Sequence, residues 1–128
     1  MRRVLVATCL LASVAALPAT VSAASGLRGI MKTWRSHQRT TEAMLTGRTG
    51  FDPAAIRQML QRYADEAGQI ATASTGQSAE ARDIRARFAA FQADARAAQA
   101  ASDTPQRLKP SFRQVMSDCQ SCHDLYKD

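Results

Sequence analysis

The chain has 128 residues, only 5% aromatic residues and a formal net charge of +6 at pH 7, with six glycines, four prolines and three cysteines. This length is enough for one domain and excludes two. The few glycines and prolines lie between long stretches with a polar–apolar period, which favours an all-α protein over a sheet protein. So few aromatic residues leave a thin core, which a large buried cofactor would complete.

Residues 1–23 have the pattern of a cleaved export signal. After a short basic start, the apolar run 4–17 is too short to span a bilayer as a helix. Val21-Ser22-Ala23 then provides small residues where a signal peptidase reads the chain. We therefore predict cleavage after Ala23 and a periplasmic location, with a retained membrane anchor as the alternative.

Cleavage changes both the charge and the cysteine content. Arg2 and Arg3 leave with the signal and no acid does, so residues 24–128 form a mature domain with a formal charge of +4. Cys9 leaves as well, and one closely spaced pair remains. A basic surface often binds nucleic acid, but export and the scattered arginines make this partner unexpected. We expect neither nucleic-acid binding nor stable membrane insertion.

Four segments of the mature chain have helical periodicity. The predicted helices run over about 25–46, 52–73, 78–101 and 104–126. Asp52, Ser78 and Thr104 are capping residues at the starts of the last three. Pro110 predicts that the last helix restarts after Ser111. Four helices joined by short loops favour an up-down-up-down bundle, with the first and last helices as antiparallel neighbours.

The segment Cys119-Gln-Ser-Cys122-His123 has the spacing of a c-type haem attachment site. The spacing puts both thiols on one side of a helical turn, where they can add across the two vinyl groups of the porphyrin. His123 then follows at the position that binds the iron. We predict one covalent haem c, anchored by Cys119 and Cys122 and ligated by His123 on the proximal side.

Three other uses of this cysteine pair fit the sequence less well. A thioredoxin-like redox pair begins a helix after a strand, whereas this motif ends an all-helical chain. A structural zinc site needs four ligands, and beyond the motif the mature chain adds only His37 and distant acids. A plain disulfide explains neither His123 nor the thin core.

A haem in this bundle needs a second axial ligand. The candidates are one histidine and four methionines: His37, Met31, Met44, Met59 and Met116. Met31 lies near the start of the first helix, level with His123 near the end of the last one. Met44 is about 20 Å further along the same helix. We therefore predict Met31 as the distal iron ligand.

The remaining candidates have more ordinary roles. We expect Met116 to pack against its own helix's neighbours and Met59 to line the pocket, since methionine fills irregular apolar space. We expect His37 to face solvent and keep it as a weaker alternative ligand.

Together these residues resemble the class II cytochromes c, the cytochrome c-prime family, over the whole mature chain. After the C-x-x-C-H run, Tyr126 and Lys127 match that family's aromatic residue and base, with lysine where arginine is usual. The segment 50–53 is similar to the loop before the family's second helix, with Phe51 where tyrosine is common. The resemblance implies a four-helix bundle with a C-terminal covalent haem.

The family has a high-spin branch, in which an apolar residue covers the distal face, and a low-spin branch, in which a methionine of the first helix binds the iron. Counting back from Phe51 places Met31 at the distal position. The resemblance thus implies the low-spin branch. Members of the family are often dimers through their first two helices, so a homodimer is possible for this chain.

Other residues are candidates for the surroundings of the haem. Pocket or core positions are expected for five aromatic residues, with core packing favoured: Trp34, Tyr63, Phe88, Phe91 and Phe112. Arg28, Lys32 and Lys127 could pair with a propionate, although solvated cations are the favoured interpretation.

The sequence therefore predicts a periplasmic carrier of single electrons whose partners are other periplasmic redox proteins. We expect no enzyme, because no distal His–Arg pair of a peroxidase is evident. The alternative is a five-coordinate haem protein that binds nitric oxide or carbon monoxide, and the identity of the distal ligand distinguishes the two.

Overall fold

The computed structural model describes residues 23–126, which form four helices and no strand. The helices are α1 (Ala23–Leu45), α2 (Pro53–Ala73), α3 (Ala79–Ala100) and α4 (Pro105–Tyr126). The predicted all-α four-helix architecture is confirmed, with boundaries within two residues of those expected. The predicted signal peptide lies outside the described residues, apart from Ala23, at which α1 begins.

The starts of α2, α3 and α4 are fixed by the capping residues that the sequence indicates. The side-chain oxygen of each accepts the backbone N–H three residues on, at 3.0 Å for Asp52, 3.1 Å for Ser78 and 3.3 Å for Thr104. Each bond satisfies one of the amides that a helix leaves unpaired at its first turn. The short connections between the helices then make successive helices antiparallel.

The helix α4 is continuous through Pro110, so the predicted restart after Ser111 is wrong. Pro110 is exposed and lies in the second turn, and Gln106, whose carbonyl loses its amide partner, is exposed as well. Leu108 and Phe112 on either side of the proline are buried in the core. Their burial stabilises the helix against the cost of the proline.

The four helices form a ring in which each helix packs against two others, and the α2–α3 contact is the most extensive. These two helices carry four fully buried alanines, which allow their backbones to approach closely: Ala64, Ala67, Ala95 and Ala98. The amide of Gln92 on α3 also donates to the carbonyl of Ala64 at 3.0 Å. Small side chains and this bond join α2 and α3 tightly.

The helix α1 is held at a greater distance from the other three. Its backbone makes few close approaches to α2 and α4. Of its side chains whose burial the structure describes, only Trp34 and Thr41 are buried. Space therefore remains between the start of α1 and the end of α4. No helix within residues 23–126 has the length and apolar character needed to cross a membrane.

Leu108 and Leu125 offer a matched test of this core, because both lie on α4 and only Leu108 is fully buried, whereas Leu125 is 62% exposed. We expect Leu108→Ala to lower the free energy of unfolding by about 2–5 kcal/mol, because the substitution leaves a cavity. Leu125→Ala should change it by less than about 0.5 kcal/mol. Denaturant unfolding of both variants measures the difference, and equal effects would contradict the packing of α4.

Candidate functional site

A groove lies between the start of α1, the middle of α3 and the end of α4, and we call it the C-terminal groove. Its open volume, including solvent at its mouth, is about 590 Å³. It is lined by Met31, Trp34, Arg87, Phe88, Ala90, Phe91, Asp118, Cys119, Ser121, Cys122 and His123. Its walls are mostly apolar, as is usual for the site of a small molecule or cofactor.

All three residues of the attachment motif line this groove from the last turns of α4. Cys119 and Cys122 are half-buried, whereas His123 is exposed. The two cysteines are free thiols and form no disulfide with each other. Burial, followed by the nearby charge of Asp118, raises the pKa of Cys119 to about 11. Burial also raises the pKa of Cys122, and Arg87 opposes this shift.

Met31 lines the same groove from α1 and is half-buried. The antiparallel packing of α1 and α4 brings the start of one helix beside the end of the other. As a result, the four residues predicted to hold a haem meet in one place, although Met31 lies about ninety positions before the other three in the chain. A second depression shares Met31, Trp34, Cys119 and His123 with the groove and continues it between α1 and α4 as far as Tyr63 of α2.

The other candidate ligands lie elsewhere. His37, Met44 and Met59 line a separate cleft between α1 and α2, so the expectation that Met59 lines the haem pocket is wrong. The expectation that His37 faces solvent is also wrong. His37 is half-buried and its ring centre is 6.1 Å from that of Tyr63. It shares the inner stripe of α1 with Trp34, three residues before it, which turns it towards α2.

Met116 lies in the depression between α1 and α4 and packs against the core, as expected. The aromatic residues divide into two groups. Trp34, Phe88 and Phe91 are buried in the core and also line the C-terminal groove. Tyr63 and Phe112 are buried as well but do not reach this groove.

A cation that the sequence analysis did not single out lies at the edge of the groove. Arg87 Nε donates to Asp83 Oδ2 at 2.7 Å, and the Tyr126 hydroxyl donates to the same oxygen at 2.6 Å. These bonds, first that of Tyr126 and then that of Arg87, hold the pKa of Asp83 below its usual value. The spacing of Asp83 and Arg87 by four residues indicates their pair, but no sequence signal joins them to Tyr126 on another helix.

The cations expected as candidate partners for a propionate do not line the C-terminal groove itself where the structure describes them. Arg28 and Lys32 are exposed and line the depression between α1 and α4. Lys127 lies outside the described residues.

Asp118 is a second residue of the groove that the sequence analysis missed. One of its carboxylate oxygens, Oδ2, is buried and has no hydrogen-bond partner, while Oδ1 accepts from the side-chain amide of Gln114 at 3.2 Å. Burial first, and then the nearby carboxylate of Asp94 on α3, raise the pKa of Asp118 to about 6. The two acids approach each other only because α3 and α4 pack side by side.

The residues of the groove fit a haem on their own chemistry. Two thiols one turn apart and an imidazole lie on one helix, a thioether lies on the facing helix, and aromatic rings form the wall between them. Imidazole and thioether are both axial ligands of haem iron in proteins.

The raised pKa of Asp118 predicts a pH dependence of stability. The folded protein holds a proton on this carboxyl up to about pH 6, whereas the unfolded chain releases it near the ordinary value of 3.8. The folded state therefore binds more protons between these two values, and the contribution of Asp118 to stability falls as the pH rises through this range. Asp118→Asn should remove this decline.

Thermal unfolding of Asp118→Asn and of the unmodified protein between pH 4 and pH 7 measures this effect. The two proteins share their other titrating groups, so the difference between their melting temperatures reports on Asp118. The difference in melting temperature between Asp118→Asn and the unmodified protein should grow as the pH rises. Gln114→Leu is the control, since it removes the amide contact to Asp118 and keeps the carboxyl. A difference that stays constant with pH would contradict the raised pKa.

A comparison with protein families finds one match over most of the chain. A family model described as Cytochrome C' matches residues 25–127. No curated protein matches the chain, and no solved structure matches it either. The matched range includes all four helices except the first two residues of α1, and the whole groove.

Proposed function

Because the chain belongs to the cytochrome c-prime family, whose members bind haem, we propose that it is a periplasmic electron carrier with one covalent haem c and His/Met ligation. The observation that carries this proposal is the placement of Met31 and His123 in the same groove on facing helices. A leucine in place of Met31 would give an open distal site, whereas a thioether can fill it.

Cys119 and Cys122 anchor the cofactor. Each thiol would add across one vinyl group, with the sulfur bonding to one carbon and the hydrogen going to the other, so that no oxidant would be required. Their spacing of three residues places both sulfurs on one side of α4. Two thioether bonds at the end of α4 would keep the cofactor in place.

His123 and Met31 would hold the haem iron, one from each of the two facing helices. When bound, haem iron supplies the one-electron couple that the protein itself lacks. A thioether favours ferrous iron and raises the reduction potential. Because protein side chains would supply both iron ligands, the site would change little between oxidation states, which would favour rapid electron transfer. Trp34, Phe88 and Phe91 give the groove an apolar wall.

The apolar run 4–17 and the small residues before Ala24 support export to the periplasm. We therefore propose other periplasmic redox proteins as partners, with no enzymatic reaction of its own.

Covalent attachment of the haem can be tested on the purified protein. After denaturing electrophoresis, a haem stain should remain with the polypeptide, because thioether bonds survive denaturation. The intact mass of protein from the periplasm should equal residues 24–128 plus one haem. Cys119→Ala or Cys122→Ala should each leave one thioether and shift the spectrum of the reduced protein. Loss of the stain from the unmodified protein would refute covalent haem, and a mass that includes Met1 would indicate a retained anchor.

Ligation of the iron by Met31 can be tested by substitution. We expect Met31→Leu to remain folded, since this exchange nearly conserves volume and commonly costs less than about 1.5 kcal/mol. It should open the distal site, shift the iron towards high spin and allow carbon monoxide to bind readily. Absorption spectra of the oxidised and reduced protein measure this change.

Met44→Leu is the matched control, because Met44 lies on the same helix but in the cleft between α1 and α2. It should leave the spectra unchanged. A low-spin spectrum of Met31→Leu in both oxidation states would show that Met31 is not the ligand. A high-spin spectrum of the unmodified protein would favour the gas-binding function over electron transfer.

A further inference from the structure

The helix that carries Met31, α1, makes few hydrogen bonds and no ion pairs with the other helices in the described part of the chain. Among residues 23–126, α1 makes three hydrogen bonds to other helices, and all three go to α2. Its charged side chains form no ion pair with another helix in the described part of the chain. With few close backbone contacts as well, the position of α1 depends on a small number of side chains.

Two of the three bonds converge on Trp34. Its indole Nε1 donates to Glu66 Oε2 at 2.6 Å, and the Tyr63 hydroxyl donates to the backbone carbonyl of Trp34 at 2.7 Å. A helical carbonyl already accepts the amide four residues on, and its second lone pair is free for such a bond. Burial of Tyr63 raises the pKa of its phenol far above the usual value, so it remains a donor at any ordinary pH.

The indole of Trp34 is also fixed on its other side. It stacks on Phe91 of α3 with ring centres 4.8 Å apart and an angle of 8° between the planes. Trp34 is thus held by α2 through two hydrogen bonds and by α3 through stacking. The side chain and the backbone of this residue are both restrained.

Met31 precedes Trp34 by three residues, which places it on the same face of α1 and about 4.5 Å along the helix axis. Both side chains line the C-terminal groove. None of the described side-chain hydrogen bonds involves Met31. The position of its sulfur therefore follows from the position of α1 at Trp34.

We propose that Tyr63 and Glu66 are positioning residues that hold α1 where the Met31 thioether can bind haem iron. This inference rests on the proposed ligation by Met31. Without the two bonds at Trp34, α1 moves more freely relative to α4, and the sulfur occupies its binding position for a smaller fraction of the time. An external ligand then competes more successfully for the distal site, because the competing open state is more populated.

The test is the equilibrium affinity of the oxidised haem-loaded protein for imidazole, measured by absorption. Tyr63→Phe removes one hydroxyl and keeps the ring. We expect it to bind imidazole about three- to tenfold more tightly than the unmodified protein, which corresponds to the loss of one buried hydrogen bond. Glu66→Ala should have a similar effect, and Glu66→Gln should restore part of the difference because its amide oxygen still accepts from the indole.

Thr41→Val is the matched control. The single hydroxyl proton of Thr41 is shared between the His37 carbonyl at 3.0 Å and Met59 Sδ at 3.2 Å, and the second of these contacts joins α1 to α2. Thr41 lies about 15 Å along α1 from Met31. Thr41→Val and Tyr63→Phe should both lower the melting temperature, because each removes a tie between α1 and α2. Only Tyr63→Phe should change the imidazole affinity.

A double substitution tests whether the effect acts through Met31. In a Met31→Leu background, Tyr63→Phe should cause no further gain in imidazole affinity. An equal gain in both backgrounds would overturn the proposal, since it would mean a general opening of the groove.

The single substitutions separate the two proposals. If Met31→Leu raises the imidazole affinity while Tyr63→Phe and Glu66→Ala leave it unchanged, the positioning role alone is overturned. Unchanged affinity in Met31→Leu would overturn both this role and the ligation by Met31. If Tyr63→Phe does not fold, the Glu66 variants decide.

Discussion

Trp34 is the side chain through which α1 is fixed to the bundle. Its ring stacks on Phe91, its N–H donates to Glu66, and its carbonyl accepts from Tyr63. Elsewhere small residues determine the packing, and the alanines shared by α2 and α3 bring those helices close together. The large indole instead fills space between α1 and α3, where it stacks on Phe91.

The C-terminal groove combines apolar walls with side chains that can bind a metal or a cofactor. Its walls are mostly apolar, yet it contains two thiols, an imidazole and a thioether. Sulfur ligands suit such a place, because a thiol or thioether loses little hydration energy on burial compared with a charged group. The raised pKa values of Cys119 and Cys122 follow from the same burial. His123 keeps contact with water at the end of α4.

Charged groups at the edge of the groove are arranged in two different ways. Asp83 is satisfied by Arg87 and Tyr126, and its pKa is lowered as a result. Asp118 lies against another acid, with one oxygen buried and unpaired, and its pKa is raised. Carboxyl groups with shifted pKa values are concentrated at functional sites in proteins, and the one whose pKa is raised, Asp118, directly precedes Cys119 in the sequence.

The sequence by itself determined the four helices, their caps and the cluster Cys119, Cys122 and His123, because these depend on periodicity and on residues close together in the chain. It also indicated Met31, since helix length and antiparallel order fix which ends meet. Only the tertiary structure decided that Pro110 is tolerated, that His37 faces α2, and that Arg87 and Asp118 border the groove. Periodicity gives the inner face of a helix, but the neighbour that this face meets depends on how far each helix is rotated and separated from the others. That is set by contacts such as the one between Trp34 and Phe91, which join residues far apart in the sequence.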